Sequence, residues 1–138
     1  MREIKEIIIH CSDSDIPEHD NLATIRGWHV QRGFKREGYH YFIRKDGLLE
    51  IGRPLIAIGA HTLFHNKNSV GICLSGKHNF NDIQFDVCSK VCLNLIVVLR
   101  LGNDIIVPHC QLDSHKTCPN FDVTIIKRKI DKLIQGEY

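Results

Sequence analysis

A run of three consecutive isoleucines near the N-terminus places the tightest limit on the fold. In residues 4–11, "IKEIIIHC", apolar side chains occupy successive positions instead of alternating with polar ones. A strand with one face in water alternates apolar and polar residues, whereas a strand covered on both faces does not. The pattern therefore predicts an inner strand of a sheet that carries helices on both faces.

The rest of the chain alternates strand and helix patterns. Apolar and β-branched runs predict strands over 69–76 and 104–109, and over 38–53 as a hairpin with an Asp-Gly turn. Apolar residues at helical spacing predict helices over 20–34, over 83–101 and from about 122. The order β-α-β-β-β-α-β-α predicts a single α/β domain over 1–138, with one mixed β-sheet flanked by about three helices.

Bulk charge and hydropathy narrow the functional classes. The net charge of +2 is too small to predict nucleic-acid binding. The sequence lacks a run of about 18 apolar residues, so we predict no transmembrane segment. The N-terminal residues "MREIKEIIIH" lack a small-residue cleavage site, so we predict no signal peptide. We therefore expect synthesis in the cytoplasm. We also expect the protein to be a monomer.

The six cysteines are predicted to be reduced thiols, because disulfides are rare in a reducing compartment. Cys88 and Cys92 lie four positions apart in a helical pattern, and Cys73 lies in a predicted strand. We predict that these three are buried in the core, where free cysteine is common.

Residues 107–122, "VPHCQLDSHKTCPNFD", place two thiols, two imidazoles and a lysine in one loop. His109 ends the last predicted strand as His10 ends the first, and ligands bind beyond the strand ends of such sheets. If the two strands are neighbours, both imidazoles reach one point, to which Cys118 can return. Two imidazoles and a thiolate can hold Zn²⁺ and leave a fourth position for water, as in catalytic sites.

Other ligand sets stay open on spacing alone. Cys110 and Cys11 each directly follow a candidate histidine, so strand alternation would turn their side chains to the opposite face. His115 is a further candidate, although no predicted element fixes it within the loop.

Four sequence blocks occur in order over residues 7–122: "IIIHCSDS", "GYHYFIRKDG", "GAHTLFHNKNSVGICLSG" and "PHCQLDSHKTCPNFD". Together they resemble the type 2 N-acetylmuramoyl-L-alanine amidases, a zinc-dependent family that includes short phage lysins and animal peptidoglycan recognition proteins. The resemblance implies a type 2 amidase-like fold, a Zn²⁺ cofactor, and peptidoglycan or a muropeptide as substrate. The implied reaction is hydrolysis of the amide between N-acetylmuramic acid and L-alanine.

The resemblance also implies roles for individual residues. The residues that match the zinc ligands are His10, His109 and Cys118. The residues that match catalytic side chains of the phage enzymes are Tyr39 and Lys116. The residues that match the lining of the substrate groove are His61 and Thr62. The segment between the last two ligands is slightly longer than in the phage enzymes, and Asp113 has no clear counterpart.

Chemistry supports these roles, because Zn²⁺ can activate water and polarise a carbonyl. The Lys116 cation could stabilise an oxyanion, and Tyr39 could orient water or donate a hydrogen bond.

An active amidase is the predicted function, and a non-catalytic peptidoglycan-binding module is the alternative. A structural zinc domain is a third possibility, but it would need a fourth protein ligand such as Cys110 or His115. An active amidase could be a bacteriolytic phage or prophage endolysin that reaches the cell wall after release. It could also recycle muropeptides in the cytoplasm or be an exported effector.

Overall fold

The isoleucine-rich segment forms an inner strand of a five-stranded mixed sheet in the computed structural model, which describes residues 1–136. Strand β1 (Glu6–Cys11) pairs in parallel with β4 (Ser69–Leu74) on one side and with β5 (Ile106–Pro108) on the other. Strand β2 (Tyr41–Ile43) pairs in parallel with β4, and β3 (Leu49–Ile51) is the antiparallel edge strand. The sheet order is therefore β3-β2-β4-β1-β5.

Helices cover both faces of this sheet, as the isoleucine run predicted. Helices α2 (Asp82–Leu99) and α4 (Thr124–Gln135) pack on one face, and α1 (Leu22–Gln31) packs on the other. A four-residue helix, α3 (His109–Leu112), directly follows β5. Short 3-10 turns occupy Pro17–His19, Asn66–Asn68 and Asn103–Ile105. The predicted α/β fold and element order are confirmed, with α3 as an additional turn.

The isoleucine run divides between two cores because successive strand residues point to opposite faces. Ile7 and Ile9 belong to the large core beneath α2 and α4, whereas Ile8 faces the other side, and all three are fully buried. The three cysteines predicted to be core residues are also fully buried: Cys73, Cys88 and Cys92. Within residues 1–136, no helix combines the length and the apolar character needed to cross a membrane.

The carboxylate of Asp15 organises the loop between β4 and α2. It accepts hydrogen bonds from the backbone N–H groups of Lys77 (2.9 Å), His78 (3.0 Å) and Asn79 (3.3 Å). It also pairs with the Lys45 ammonium group at 2.8 Å. The ammonium group and these N–H donors hold the pKa of Asp15 well below its ordinary value.

We expect Asp15→Asn to lower the free energy of unfolding by about 1–3 kcal/mol at neutral pH, because a neutral amide cannot accept these charge-assisted bonds equally well. The folded-state pKa lies below the unfolded value of about 3.9, so the stabilisation is complete above that value and is lost as the pH falls below it. Urea titrations at pH 7 and at about pH 3.5 measure the free energy of unfolding of both proteins. The difference between wild type and variant should be smaller at the lower pH.

The matched control for this prediction is Glu3→Gln, which neutralises an exposed carboxylate. Within residues 1–136 the Glu3 carboxylate forms no ion pair. The control should leave the stability nearly unchanged. A difference for Asp15→Asn that did not depend on pH would contradict the electrostatic explanation.

Candidate active site

A cleft of about 720 Å³ opens where the parallel strands β1 and β5 end. Segments within residues 10–13, 25–39, 60–66 and 109–118 line it. Residues 10–13 run from the end of β1 into a loop, residues 60–66 form a loop, and residues 109–118 begin with a short helical turn. All seven side chains that the sequence singled out line this cleft: His10, Tyr39, His61, Thr62, His109, Lys116 and Cys118.

Three of these side chains form a compact group that could hold a metal ion. One potential ligand atom each from His10, His109 and Cys118 lies within 4.8 Å of the others. His10 lies on β1, and His109 begins α3 directly after β5. The Cys110 N–H donates to the Cys118 carbonyl at 2.9 Å, and the Cys11 N–H donates to the Cys118 sulfur at 2.8 Å. These two hydrogen bonds hold the loop that contains Cys118 against the ends of β1 and β5.

The donor set of this group suits Zn²⁺. Donor atoms bound to one tetrahedral zinc ion lie roughly 3.5 Å apart, so the three side chains would need only small shifts. Burial lowers the pKa of both His10 and His109, which keeps the imidazoles neutral and their lone pairs available. Contact with the Cys11 side chain and burial raise the pKa of the Cys118 thiol. A bound cation reverses that tendency, because it deprotonates a coordinating thiol.

The rival ligands lie outside this group. Cys110 is exposed, but the strand-alternation argument for it was wrong, because β5 ends at Pro108 and Cys110 lies in the helical turn α3. His115 is exposed in the wall of the cleft. Cys11 is buried on β1, and its backbone N–H donates to the Cys118 sulfur. Its side chain also contacts Cys118, so strand alternation does not turn this thiol away from the loop, although Cys11 is not in the metal-ligand group.

Tyr39 lies two residues before β2 and is half-buried against the α1 face of the sheet. Its ring centroid is 5.0 Å from that of His10. Burial raises the pKa of the Tyr39 hydroxyl well above its ordinary value, and the hydroxyl contacts the Cys73 thiol. The phenol therefore keeps its proton at neutral pH and can donate a hydrogen bond.

Lys116 is exposed at the wall of the cleft, where its backbone N–H donates to the Asp113 carbonyl at 3.1 Å. Its positive charge is close enough to His109 to oppose protonation of that imidazole, while the Asp113 carboxylate acts in the opposite direction. A cation in this position can interact with negative charge that develops in the cleft.

His61 and Thr62 contact the metal-ligand group as well as lining the cleft. The Asn66 side-chain oxygen accepts hydrogen bonds from the backbone N–H groups of both residues, each at 2.9 Å. His61 Nδ1 lies 2.9 Å from His10 Nε2, and Thr62 Oγ1 lies 3.3 Å from the same nitrogen. The pair therefore lies directly behind His10.

One wall of the cleft contains side chains that the sequence did not mark as functional: Trp28, His29, Arg32 and Phe34. Trp28 and His29 lie on the face of α1 that packs against the sheet. His29 Nδ1 accepts the Gly38 N–H at 2.8 Å, and its ring centroid lies 5.4 Å from that of Tyr39. Helical spacing could have indicated that these residues line the cleft, because the face of α1 that packs on the sheet also extends to the strand ends.

Comparisons with known proteins cover most of the chain. Residues 1–121 match the family described as N-acetylmuramoyl-L-alanine amidase. The chain is 32% identical over 130 residues to an endolysin of Enterobacteria phage T3, covering 85% of this chain and 81% of that protein. It is also 32% identical over 130 residues to an endolysin of Klebsiella phage KP32, covering 88% of this chain and 84% of that protein.

Solved structures show the same arrangement of elements. N-acetylmuramoyl-L-alanine amidase LysC from Clostridium intestinale matches with a TM-score of 0.84 and 26% identity, over 94% of this chain and 87% of that one. Wild-type Drosophila PGRP-LB matches with a TM-score of 0.73 and 24% identity, over 86% of this chain and 76% of that one. The second likeness concerns the fold alone.

Proposed function

The chain belongs to the N-acetylmuramoyl-L-alanine amidase family and is an amidase that hydrolyses peptidoglycan, and from this premise we propose that its activity depends on zinc. The proposed ligands are His10, His109 and Cys118. The observation that carries the proposal is the convergence of these two imidazoles and one thiol within 4.8 Å in the cleft. The proposed scissile bond is the amide between the lactyl group of N-acetylmuramic acid and L-alanine.

The side chains around this group supply the remaining requirements of amide hydrolysis. Zn²⁺ held there would provide an activated water nucleophile and would polarise the substrate carbonyl. Tyr39 keeps its proton and can donate a hydrogen bond to the oxygen on which negative charge develops. Lys116 adds a positive charge at the wall of the same cleft.

The ligand count favours a catalytic site over a structural one. Structural zinc sites in proteins have four protein ligands, whereas catalytic sites keep one position open. Over residues 1–136, the group contains three histidine, cysteine or carboxylate ligands, and neither Cys110 nor His115 is among them. The complete three-ligand set also favours an enzyme over a module that binds peptidoglycan without cutting it.

The relatives support a role in cell lysis. The phage proteins of T3 and KP32 described above are endolysins, and we propose that this protein likewise acts on cell-wall peptidoglycan after release from the cell that makes it. All the proposed site residues come from one chain, so a monomeric single domain over 1–138 can carry the reaction.

Mass analysis of purified muropeptides tests the reaction and its metal dependence together. We expect two products, a saccharide with a free lactyl carboxylate and a peptide with a free N-terminal L-alanine. Removal of zinc by a chelator should reduce hydrolysis to background, because the nucleophile is no longer activated. Re-addition of Zn²⁺ should restore it.

The matched control is the same chelator already saturated with zinc, which should leave hydrolysis unchanged. Full hydrolysis by protein whose zinc content had been measured as negligible would refute the metal dependence. Products from cleavage of a different bond would refute the proposed specificity.

A further inference from the structure

We propose that His61 is a positioning residue that fixes the protonation and orientation of His10 so that His10 Nδ1 faces the metal. This inference rests on the proposed zinc function, and it gives His61 a role beyond lining the substrate groove. Its evidence is a chain of side-chain contacts from β4 through His61 to β1 (Ser69, His61 and His10).

The first step concerns which nitrogen of His10 is available. His10 is 1% exposed, and its Nε2 already lies 2.9 Å from His61 Nδ1 and 3.3 Å from Thr62 Oγ1. A metal ion cannot occupy the same side of the ring as these two contacts. Nδ1 is therefore the His10 atom that belongs to the metal-ligand group.

The second step concerns the proton between the two rings. Two neutral imidazole nitrogens at 2.9 Å share one proton, so either His10 or His61 is the donor. If His61 donated, the proton of neutral His10 would sit on Nδ1 and would block metal binding. The metal-binding form therefore has His10 Nε2–H donating to His61 Nδ1, which is the usual arrangement of a histidine ligand and its outer partner.

The third step concerns what fixes His61 itself. With Nδ1 as acceptor, the proton of His61 lies on Nε2, which is 3.3 Å from the hydroxyl oxygen of fully buried Ser69. The His61 ring also packs closely against Gly59 and Gly71, where an added Cβ would lie 2.6 Å from its Cδ2 atom. Only glycine leaves room for the His61 ring at these two positions. The position of the His61 ring behind His10 is therefore closely defined.

Zinc affinity is the property that this arrangement should control. Loss of the outer hydrogen-bond partner of a metal ligand lowers metal affinity by about 10–100-fold. We therefore expect His61→Leu, which fills the site but accepts no hydrogen bond, to weaken zinc binding by about that factor. His61→Asn places an oxygen close to the former Nδ1 position and should recover most of the loss.

Competition with a chromophoric chelator would measure the zinc dissociation constants, and the absorption spectrum of the Co²⁺-loaded protein would report the ligand geometry. Thermal unfolding of each metal-free variant separates packing from metal binding. The proposal requires the His61→Leu variant to bind zinc more weakly than the His61→Asn variant. The difference in their metal-free stabilities must not account for that difference in zinc affinity. Equal zinc affinities in these two variants, whether both normal or both weak, would overturn it.

Ser69→Ala carries the test if His61→Leu does not fold, because it removes only one oxygen atom. It should weaken zinc binding severalfold, and an unchanged affinity would overturn the proposal. A wild-type protein that bound no zinc would instead refute the proposed function. A zinc-dependent wild type with unaffected His61 and Ser69 variants would refute this inference alone.

Discussion

Replacement of Cys118 by serine should reduce hydrolysis to background and remove tightly bound zinc while leaving the fold intact. A neutral hydroxyl is a far weaker zinc ligand than a thiolate, and the group has only two other ligands, His10 and His109. The variant should retain measurable muropeptide binding, because the opposite wall of the cleft comes from α1 and residues 60–66. Zinc content, turnover and muropeptide binding can be measured on one preparation.

Cys110→Ser is the matched control for this prediction. Its sulfur is exposed in α3 and lies outside the metal-ligand group, although its backbone N–H supports the Cys118 loop. Because serine keeps that N–H, hydrolysis and zinc content should stay close to wild type. An active Cys118→Ser protein beside an inactive Cys110→Ser protein would show that the proposed ligand set is wrong.

Tyr39→Phe and Lys116→Ala should each slow turnover by a factor on the order of tens to thousands while zinc content and fold are retained. Both side chains line the cleft without belonging to the metal-ligand group, and each can stabilise negative charge that develops during the reaction. The loss should therefore fall mainly on kcat rather than on KM. Steady-state kinetics on a defined muropeptide, with zinc analysis of each protein, measures it.

The pH dependence provides a sharper test for Tyr39. Burial raises the pKa of its hydroxyl above the ordinary value of about 10, so the group stays protonated throughout the neutral range. The ratio of wild-type to Tyr39→Phe rates should then be constant from about pH 6 to pH 9. A ratio that fell to one within that range would show that the phenol loses its proton there and is not a constant donor.

Two further variants serve as controls for these effects. Tyr41→Phe removes a hydroxyl from a tyrosine that packs against the core beneath α2, on the opposite face of the sheet. Lys90→Ala removes an exposed charge from α2. Both should retain wild-type turnover, and a comparable loss in either would point to a general effect of stability or net charge.

The sequence by itself determined the elements and their class, because periodicity is a local property of the chain. The isoleucines of β1 required cover on both faces, and the helical spacing around Cys88 and Cys92 correctly placed both thiols in the core. The Asp-Gly pair likewise predicted the turn between β2 and β3, where Gly47 has a φ of +87°.

The resemblance in four blocks identified the family, but local patterns could not determine which side chains meet. His10 and His109 come together only because β1 and β5 are neighbours, and a pairing between strands so far apart in sequence leaves no local signal. The boundary of β5 was similarly undetermined, which is why alternation failed as an explanation for Cys110. Elements are set by neighbours within a few residues, whereas strand order depends on how the whole chain packs.

His61 illustrates the same limit at the level of a single contact. Its place behind His10 depends on the register of β4 against β1 and on the space above Gly71, and 51 residues separate the two histidines. The sequence could mark His61 as a residue of the cleft. Only the tertiary structure could decide that its nearest polar partner is a candidate metal ligand, because hydrogen-bond geometry exists only after the strands have paired.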